Sequence, residues 1–167
     1  TLSTAFLISY YNRRSTIEAA WKYLIINAIG LLLAFLGTLL YFTIGGSENA
    51  ATWQELVANA AALAPAIAKT AFAFVIVGYG VKIGFAPMHT WKPDAYGKSP
   101  APLGALFSGA LLPVAFAMVL RFKLITDTAI GSTFSDNLFI IFGMMSMLIA
   151  AFCILTSHNY KRILAYS

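Results

Sequence analysis

An apolar run that ends in glycine and proline constrains the fold of this chain most. The run extends from Ile67 to Pro87 and is long enough to cross a bilayer, but it contains Lys82. A lysine inside a membrane span is costly, and such residues usually face a protein interior or a water-filled path. Gly84 and Pro87 follow it and predict a break, which is tolerated at membrane depth only where the backbone is buried in protein or lines a cavity. We therefore expect a discontinuous transmembrane helix with Lys82 at its break.

The composition indicates a membrane protein. Of the 167 residues, 60% are hydrophobic and only 10% are charged, and the mean hydropathy of +0.79 is too apolar for a soluble domain. A net charge of +5 would suggest nucleic acid in a soluble protein. Here the cations lie between apolar runs, which is typical of membrane topology, so we expect no nucleic-acid partner. Cys153 is the only cysteine, which excludes an internal disulfide and an all-cysteine metal or iron–sulfur site.

The apolar runs predict an all-α, polytopic transmembrane bundle of about five spans, forming a single domain over residues 1–167. Residues 48–65 contain only about a dozen weakly apolar residues, too few to span, so we expect an interfacial segment there. We expect a broken helix over residues 66–97. Because apolar runs are cut at both ends, we also expect an internal piece of a larger membrane protein. The spans are predicted at 1–11, 17–44, 66–97, 102–122 and 137–156, and a sixth begins near Tyr160.

The charges in the short loops predict an orientation. The loops at 12–15, 98–101 and 157–161 are richer in cations than those of the opposite face, so we expect them in the cytoplasm. Aromatic residues near the predicted span ends are typical of interfacial anchors: Tyr10, Tyr11, Trp21, Tyr41, Trp91 and Tyr96.

Three residues are candidates for moving protons. Lys82 could gain and lose a proton in a chain of water molecules, or it could snorkel to the surface. A half-helix that ends near Gly84 would point the negative end of its dipole into the membrane, where a cation is stabilised. His89 could relay a proton, or it could cap the half-helix or bond to the broken backbone. Lys22 could lie inside the bilayer, or it could form a surface pair with Glu18, four residues earlier.

Four further residues are accessory candidates. Asp94 is an acidic residue among the cations of the predicted cytoplasmic face, and Glu18 lies near the start of a span. His158 and Lys161 are more typical of a loop. No His, Cys and carboxylate cluster has the spacing of a metal site, and no nucleophile–base pair, P-loop or dinucleotide fingerprint is evident. We therefore expect no catalytic residue, metal or cofactor in this chain.

Several segments resemble a known family. Gly80–Tyr96, with Ser99–Pro102 after it, resembles the signature of antiporter-like proton-translocating subunits. These subunits occur in respiratory complex I, in Mrp cation/proton antiporters and in energy-converting membrane hydrogenases. Glu18–Leu24 and Lys161–Ser167 fit the same family, so the resemblance covers nearly the whole chain. Within it, the segments are most similar to the F-subunit branch of hydrogenase-4 and formate hydrogenlyase-type complexes.

The resemblance implies a parent of about fourteen helices, of which this chain would be roughly the fifth to the start of the tenth. Lys82 would be the central lysine of the discontinuous seventh helix, and Lys22 the lysine of the sixth. The family's fifth-helix glutamate would lie just before Thr1, and we expect Lys22 to point into the bundle on that side. Two positions depart from the pattern. The usual eighth-helix Lys or His falls near Pro113, which cannot carry a proton, and Lys92 stands where leucine is usual.

The resemblance also implies a function. The chain would belong to a proton-translocating subunit of a multisubunit oxidoreductase of the hydrogenase or NADH:quinone type, in a prokaryotic cytoplasmic (inner) membrane. Other membrane subunits and a peripheral redox arm would be its partners, and iron–sulfur and nickel–iron or flavin centres would lie only in those partners. The moved ion would be the proton or Na⁺. Two alternatives stay open: a Mrp-type Na⁺/H⁺ antiporter subunit, and a structural scaffold in which Lys82 is salt-bridged and static.

Overall fold

A computed structural model of the protein describes residues 1–44, 52–157 and 159–166. Within these ranges the chain is helical and contains no strand, which confirms the predicted all-α class. The helices are α1 (Leu2–Ile8), α2 (Arg14–Ile44), α3 (Trp53–Ala58), α4 (Pro65–Ile83), α5 (Trp91–Lys98), α6 (Ala101–Leu106), α7 (Leu112–Ile130), α8 (Thr133–Thr156) and α9 (Tyr160–Tyr166).

Four stretches of the described chain are long and apolar enough to cross a membrane. A π-helical turn at Phe107–Leu111 joins α6 and α7 into one of them. The predicted first span, residues 1–11, corresponds to α1, which has seven residues and is not one of the four stretches. The four stretches are Arg14–Thr43, Pro65–Lys98, Ala101–Ile130 and Thr133–Thr156.

Helix α4 is central to the packing. Its contact with α2 is the most extensive between any two described elements, and its next largest is with α7. Small residues allow α2 and α4 to approach closely, since a Cβ built on Gly78 would lie only 2.3 Å from the backbone nitrogen of Ala34. Tyr41, Phe72 and Phe122 are fully buried in the core that these three helices share.

The predicted break in the third span is present. Helix α4 ends at Ile83, and Gly84 has a φ of +89° and a ψ of +38°. This left-handed conformation is open to glycine at little cost and commonly ends a helix. The chain then makes a short 3₁₀ turn at Met88–Thr90 and resumes as α5. The Ala86–Pro87 peptide bond within the break is cis.

Helices α7 and α8 both extend further than the hydropathy pattern predicts, α7 to Ile130 and α8 from Thr133. Lys123 joins the two extensions, because its ammonium lies 2.6 Å from Asp127 on α7 and 2.9 Å from Asp136 on α8. Charged residues that lower the hydropathy therefore support the helices by pairing with one another.

The predicted interfacial segment at 48–65 is only partly described, because residues 45–51, including Glu48, lie outside the described ranges. Helix α3 begins with a capping box in which Thr52 and Glu55 each accept a hydrogen bond from the other's backbone nitrogen. Leu56 is buried in the core shared by α2, α4 and α7. The segment is thus anchored to the bundle, and its interfacial position stays a prediction.

Candidate functional site

Two side chains bond to the backbone groups that the break between α4 and α5 leaves without helical partners. Trp91 Nε1 donates to the carbonyl oxygen of Val81 at 2.8 Å, and the backbone nitrogen of Ala86 donates to Ser146 Oγ of α8 at 3.0 Å. The prediction that Trp91 and Tyr41 are interfacial anchors is wrong, because both are fully enclosed. The indole of Trp91 instead stabilises the broken backbone.

Lys82 is the penultimate residue of α4 and therefore lies at the break. Its side chain is half-buried, and its Nζ lies 5.6 Å from the ring centroid of Tyr23 on α2, within cation–π range. Tyr23 is fully buried and packs edge-on against Trp91, with ring centroids 5.1 Å apart. Within the described ranges no carboxylate oxygen lies within 4.0 Å of Lys82 Nζ, so the ion pair of the scaffold alternative is absent there.

Lys22 forms the surface pair that its spacing predicts. Its Nζ lies 2.6 Å from Glu18 Oε1 and also 3.4 Å from Asp94 Oδ2 on α5. The side chain of Lys22 is 47% exposed. Lys22 thus reaches across to the second half-helix and does not turn fully into the bundle.

Asp94, predicted only as an accessory residue, connects three helices. Arg162 of α9 donates from Nη2 to Asp94 Oδ1 at 2.8 Å, Lys98 Nζ lies 3.7 Å away within α5, and Lys22 approaches from α2. The side chain of Asp94 is only 13% exposed, and opposite charges interact more strongly there than in bulk water. We call Asp94, Lys22, Lys98 and Arg162 the Asp94 cluster. It ties the short half-helix α5 to α2 and α9.

A small cavity lies beside the break. It has a volume of about 60 Å³, enough for water, and is lined by His89, Lys92, Ser146 and Tyr166 among others. His89 Nδ1 is buried and has no hydrogen-bond partner among the described residues, and no side chain caps the 3₁₀ turn or α5, so the capping alternative for His89 is absent there. Lys92, which stands where leucine is usual in the family, folds back over Gly84, where a Cβ would lie 2.9 Å from Lys92 Cδ. The break therefore carries a second amine.

The remaining accessory candidates lie elsewhere or are not described. Lys161 lies in the first turn of α9, where its backbone nitrogen donates to Asn159 Oδ1 at 3.1 Å. His158 lies outside the described residues, so its role stays a prediction. Among the described residues no group of three or more His, Cys, Asp or Glu side chains could hold a metal ion.

Sequence reasoning missed Tyr23, Ser146 and the indole of Trp91. Tyr23 adjoins Lys22, and the helical period places it on the neighbouring face of α2. The sequence gives no signal that Ser146 bonds to the break, because a single hydroxyl in an apolar helix most often bonds to the backbone of its own helix.

Comparison with known proteins gives consistent matches. The family described as "NADH:quinone oxidoreductase/Mrp antiporter, TM" matches residues 1–167. The "Hydrogenase-4 component F homolog" of Methylacidiphilum infernorum is 37% identical over 172 residues, covering 100% of this chain and 36% of that protein. "NADH-quinone oxidoreductase subunit N" of Myxococcus xanthus is 28% identical over 168 residues, covering 100% and 32%.

A solved structure has the same fold. A chain of the membrane-bound sulfane sulfur reductase, described as an archaeal respiratory membrane complex, matches with a TM-score of 0.88 and 25% sequence identity. The match covers 99% of this chain and 33% of that one. The chain therefore spans about a third of the length of the relatives it matches.

Proposed function

The chain belongs to the NADH:quinone oxidoreductase/Mrp antiporter transmembrane family, as its motifs predict, and on that premise we propose that it is part of a proton-translocating subunit of a membrane oxidoreductase. The observation that supports this most is Lys82, an amine at a helix break with no carboxylate in contact among the described residues. Relatives named as subunits of hydrogenase-4 and of NADH-quinone oxidoreductase support the setting. Iron–sulfur and nickel–iron or flavin centres would then lie in partner subunits, including a peripheral redox arm.

We assign Lys82 the role of gaining and releasing the proton. A carboxylate in permanent contact would hold the amine in its charged form, and none is within 4.0 Å in the described ranges. The aromatic ring of Tyr23 contacts the ammonium without taking its proton. The protonation of Lys82 can therefore respond to a change of charge elsewhere in the membrane, because such charges interact over longer distances at low dielectric.

Water beside the break would supply and remove this proton. The cavity lined by His89 and Lys92 reaches Gly84, two residues after Lys82 in the chain, and Lys82 itself does not line it. The imidazole of His89 presents a buried nitrogen with no partner among the described residues, so it is free to bond to water. His89 thus acts as a relay in the proton path. Lys22 belongs to the Asp94 cluster, and its charge influences the path.

The three cation-rich loops support a common orientation. Arg13, Lys98 and Lys161 each come from one of these predicted loops and line one cavity, so the three residues lie at the same end of the bundle. We assign this face to the cytoplasm of a prokaryotic inner membrane.

Cysteine accessibility tests the water path. In a full-length protein whose other cysteines, Cys153 among them, are replaced by serine, a water-soluble methanethiosulfonate cation should modify Lys82→Cys. Phe72→Cys is the matched control, since Phe72 lies in the same helix and is fully buried; it should not react. Equal inertness of the two thiols, with reagent supplied on both sides of the membrane, would refute the path.

The alternative is a Mrp-type antiporter subunit, which the family description includes. The subunits that copurify with the full-length protein distinguish an oxidoreductase subunit from a Mrp-type antiporter subunit. A nickel–iron large subunit would identify a hydrogenase, and a flavin subunit would identify NADH oxidation. Na⁺/H⁺ exchange without any redox subunit would establish the antiporter and overturn our proposal.

A further inference from the structure

A second polar cavity lies at the cation-rich face, and the proposed proton path does not use it. It shares no lining residue with the cavity at the break and has a volume of about 340 Å³. Three junctions of the chain form it: the α1–α2 loop, the α5–α6 junction and the start of α9. We call it the basic cavity, and the lining residues that matter here are Tyr11, Arg13, Thr16, Lys98, Ser99 and Lys161.

The basic cavity has positive charge that is not neutralised by its own lining. Among the residues that the structure describes, no carboxylate lines it. Arg13 and Lys161 have no ion pair within 4.0 Å among the described residues. Lys98 is 3.7 Å from Asp94, but Arg162 binds the same carboxylate oxygen more closely, at 2.8 Å. Three cations without a carboxylate between them favour an anion.

Ser99 gives an independent indication of a ligand. Its side chain is 2% exposed, and its Oγ has no hydrogen-bond partner among the described residues. A buried hydroxyl seldom stays without one. The hydroxyl of Thr16 in the same cavity is already used, since it donates to the carbonyl oxygen of Arg13 at 2.8 Å and accepts from its backbone nitrogen at 3.0 Å. Ser99 is therefore available to donate to an oxygen of a bound group.

An apolar groove borders the basic cavity. It has a volume of about 430 Å³ and is formed by the end of α1 and by α6, where Leu7 and Leu106 are both exposed. Tyr10 and Pro100 line the groove, and each is the chain neighbour of a residue that lines the basic cavity. A site for an anion that continues into an apolar groove matches an amphiphile better than a free ion.

We propose that the basic cavity binds the phosphate headgroup of an anionic phospholipid, with an acyl chain lying in the apolar groove. Arg13, Lys98 and Lys161 neutralise the phosphate, and Ser99 donates a hydrogen bond to it. Basic pockets between transmembrane helices are suited to such headgroups. The lipid joins the α1–α2 loop, the α5–α6 junction and α9, and so it supports the end of the bundle that the Asp94 cluster also ties together.

Native mass spectrometry of the full-length protein, released from its membrane in mild detergent, tests the proposal. Arg13→Gln combined with Lys161→Gln should raise the dissociation constant for added phosphatidylglycerol about thirtyfold, which is the effect of removing two cations near an anionic lipid. Arg14→Gln combined with Lys69→Gln is the matched control. It removes the same charge, but neither residue lines the basic cavity, so binding should be unchanged. Ser99→Ala should weaken binding without any change of charge.

Three results would overturn the proposal. Equal lipid loss in the control variant would show that only overall charge matters. If phosphatidylcholine bound as tightly as phosphatidylglycerol, the three cations would not contribute to lipid binding. Inorganic phosphate that displaces phosphatidylglycerol at equal concentration would show a site for a free anion, without a contribution from the groove.

Discussion

Replacing Asp94 by asparagine should loosen the contact between α2, α5 and α9. The change keeps the shape of the side chain but removes the charge that meets Arg162 at 2.8 Å, Lys22 at 3.4 Å and Lys98 at 3.7 Å. A hydrogen bond to a charged group contributes about 1.5–3 kcal/mol. Because the Arg162 side chain is 49% exposed, solvent screens part of this, and we expect a loss of about 1–2 kcal/mol. The two lysines lie further away and add less.

A double-mutant cycle measures this directly. Thermal or denaturant unfolding of the full-length protein in detergent should give a coupling of about 1–2 kcal/mol between Asp94→Asn and Arg162→Gln. Glu18→Gln is the control, because its carboxylate is 58% exposed and pairs with Lys22 alone among the described residues; stability should not change measurably. A coupling of zero, or an equal loss in the control, would refute the reasoning.

Two further substitutions test the packing. Gly78→Ala should destabilise the fold by about 3 kcal/mol, because its Cβ would lie 2.3 Å from the backbone of Ala34, which cannot swing away; Gly143→Ala, with open space around it, should be tolerated. The yield of folded protein in gel filtration checks both, and equal yields would contradict the close helix contact. Tyr41→Phe should cost about 1 kcal/mol in thermal unfolding, because the buried Thr126 Oγ1 loses the Tyr41 hydroxyl at 2.6 Å and keeps only its own bond to the carbonyl oxygen of Phe122. Adding Thr126→Val should recover most of that loss, and no recovery would argue against the hydrogen bond.

The helix break could be predicted because its causes are local. Gly84 permits the left-handed conformation that ends α4, and Pro87 lacks the backbone donor that a continuous helix would need. Lys82 lies two residues before Gly84, so its position at the break follows from the same short segment.

The partners of these residues could not be predicted, because they come from distant parts of the chain. Asp94 lies 72 positions from Lys22 and 68 from Arg162, and only its four-residue spacing to Lys98 was visible in the sequence. The sequence predicts that Trp91 is an interfacial anchor, because it lies near a predicted span end. Its tertiary contact places it inside the bundle instead.

The ratio of protons moved to electrons transferred tests the central claim about Lys82 most directly. We expect Lys82→Ala and Lys82→Arg to lose proton movement in proteoliposomes while the complex stays assembled, since alanine has no amine and a guanidinium does not release its proton. Lys69→Ala, which removes a lysine from the first turns of the same helix, should keep the normal ratio. An unchanged proton-to-electron ratio in both Lys82 variants would contradict the account.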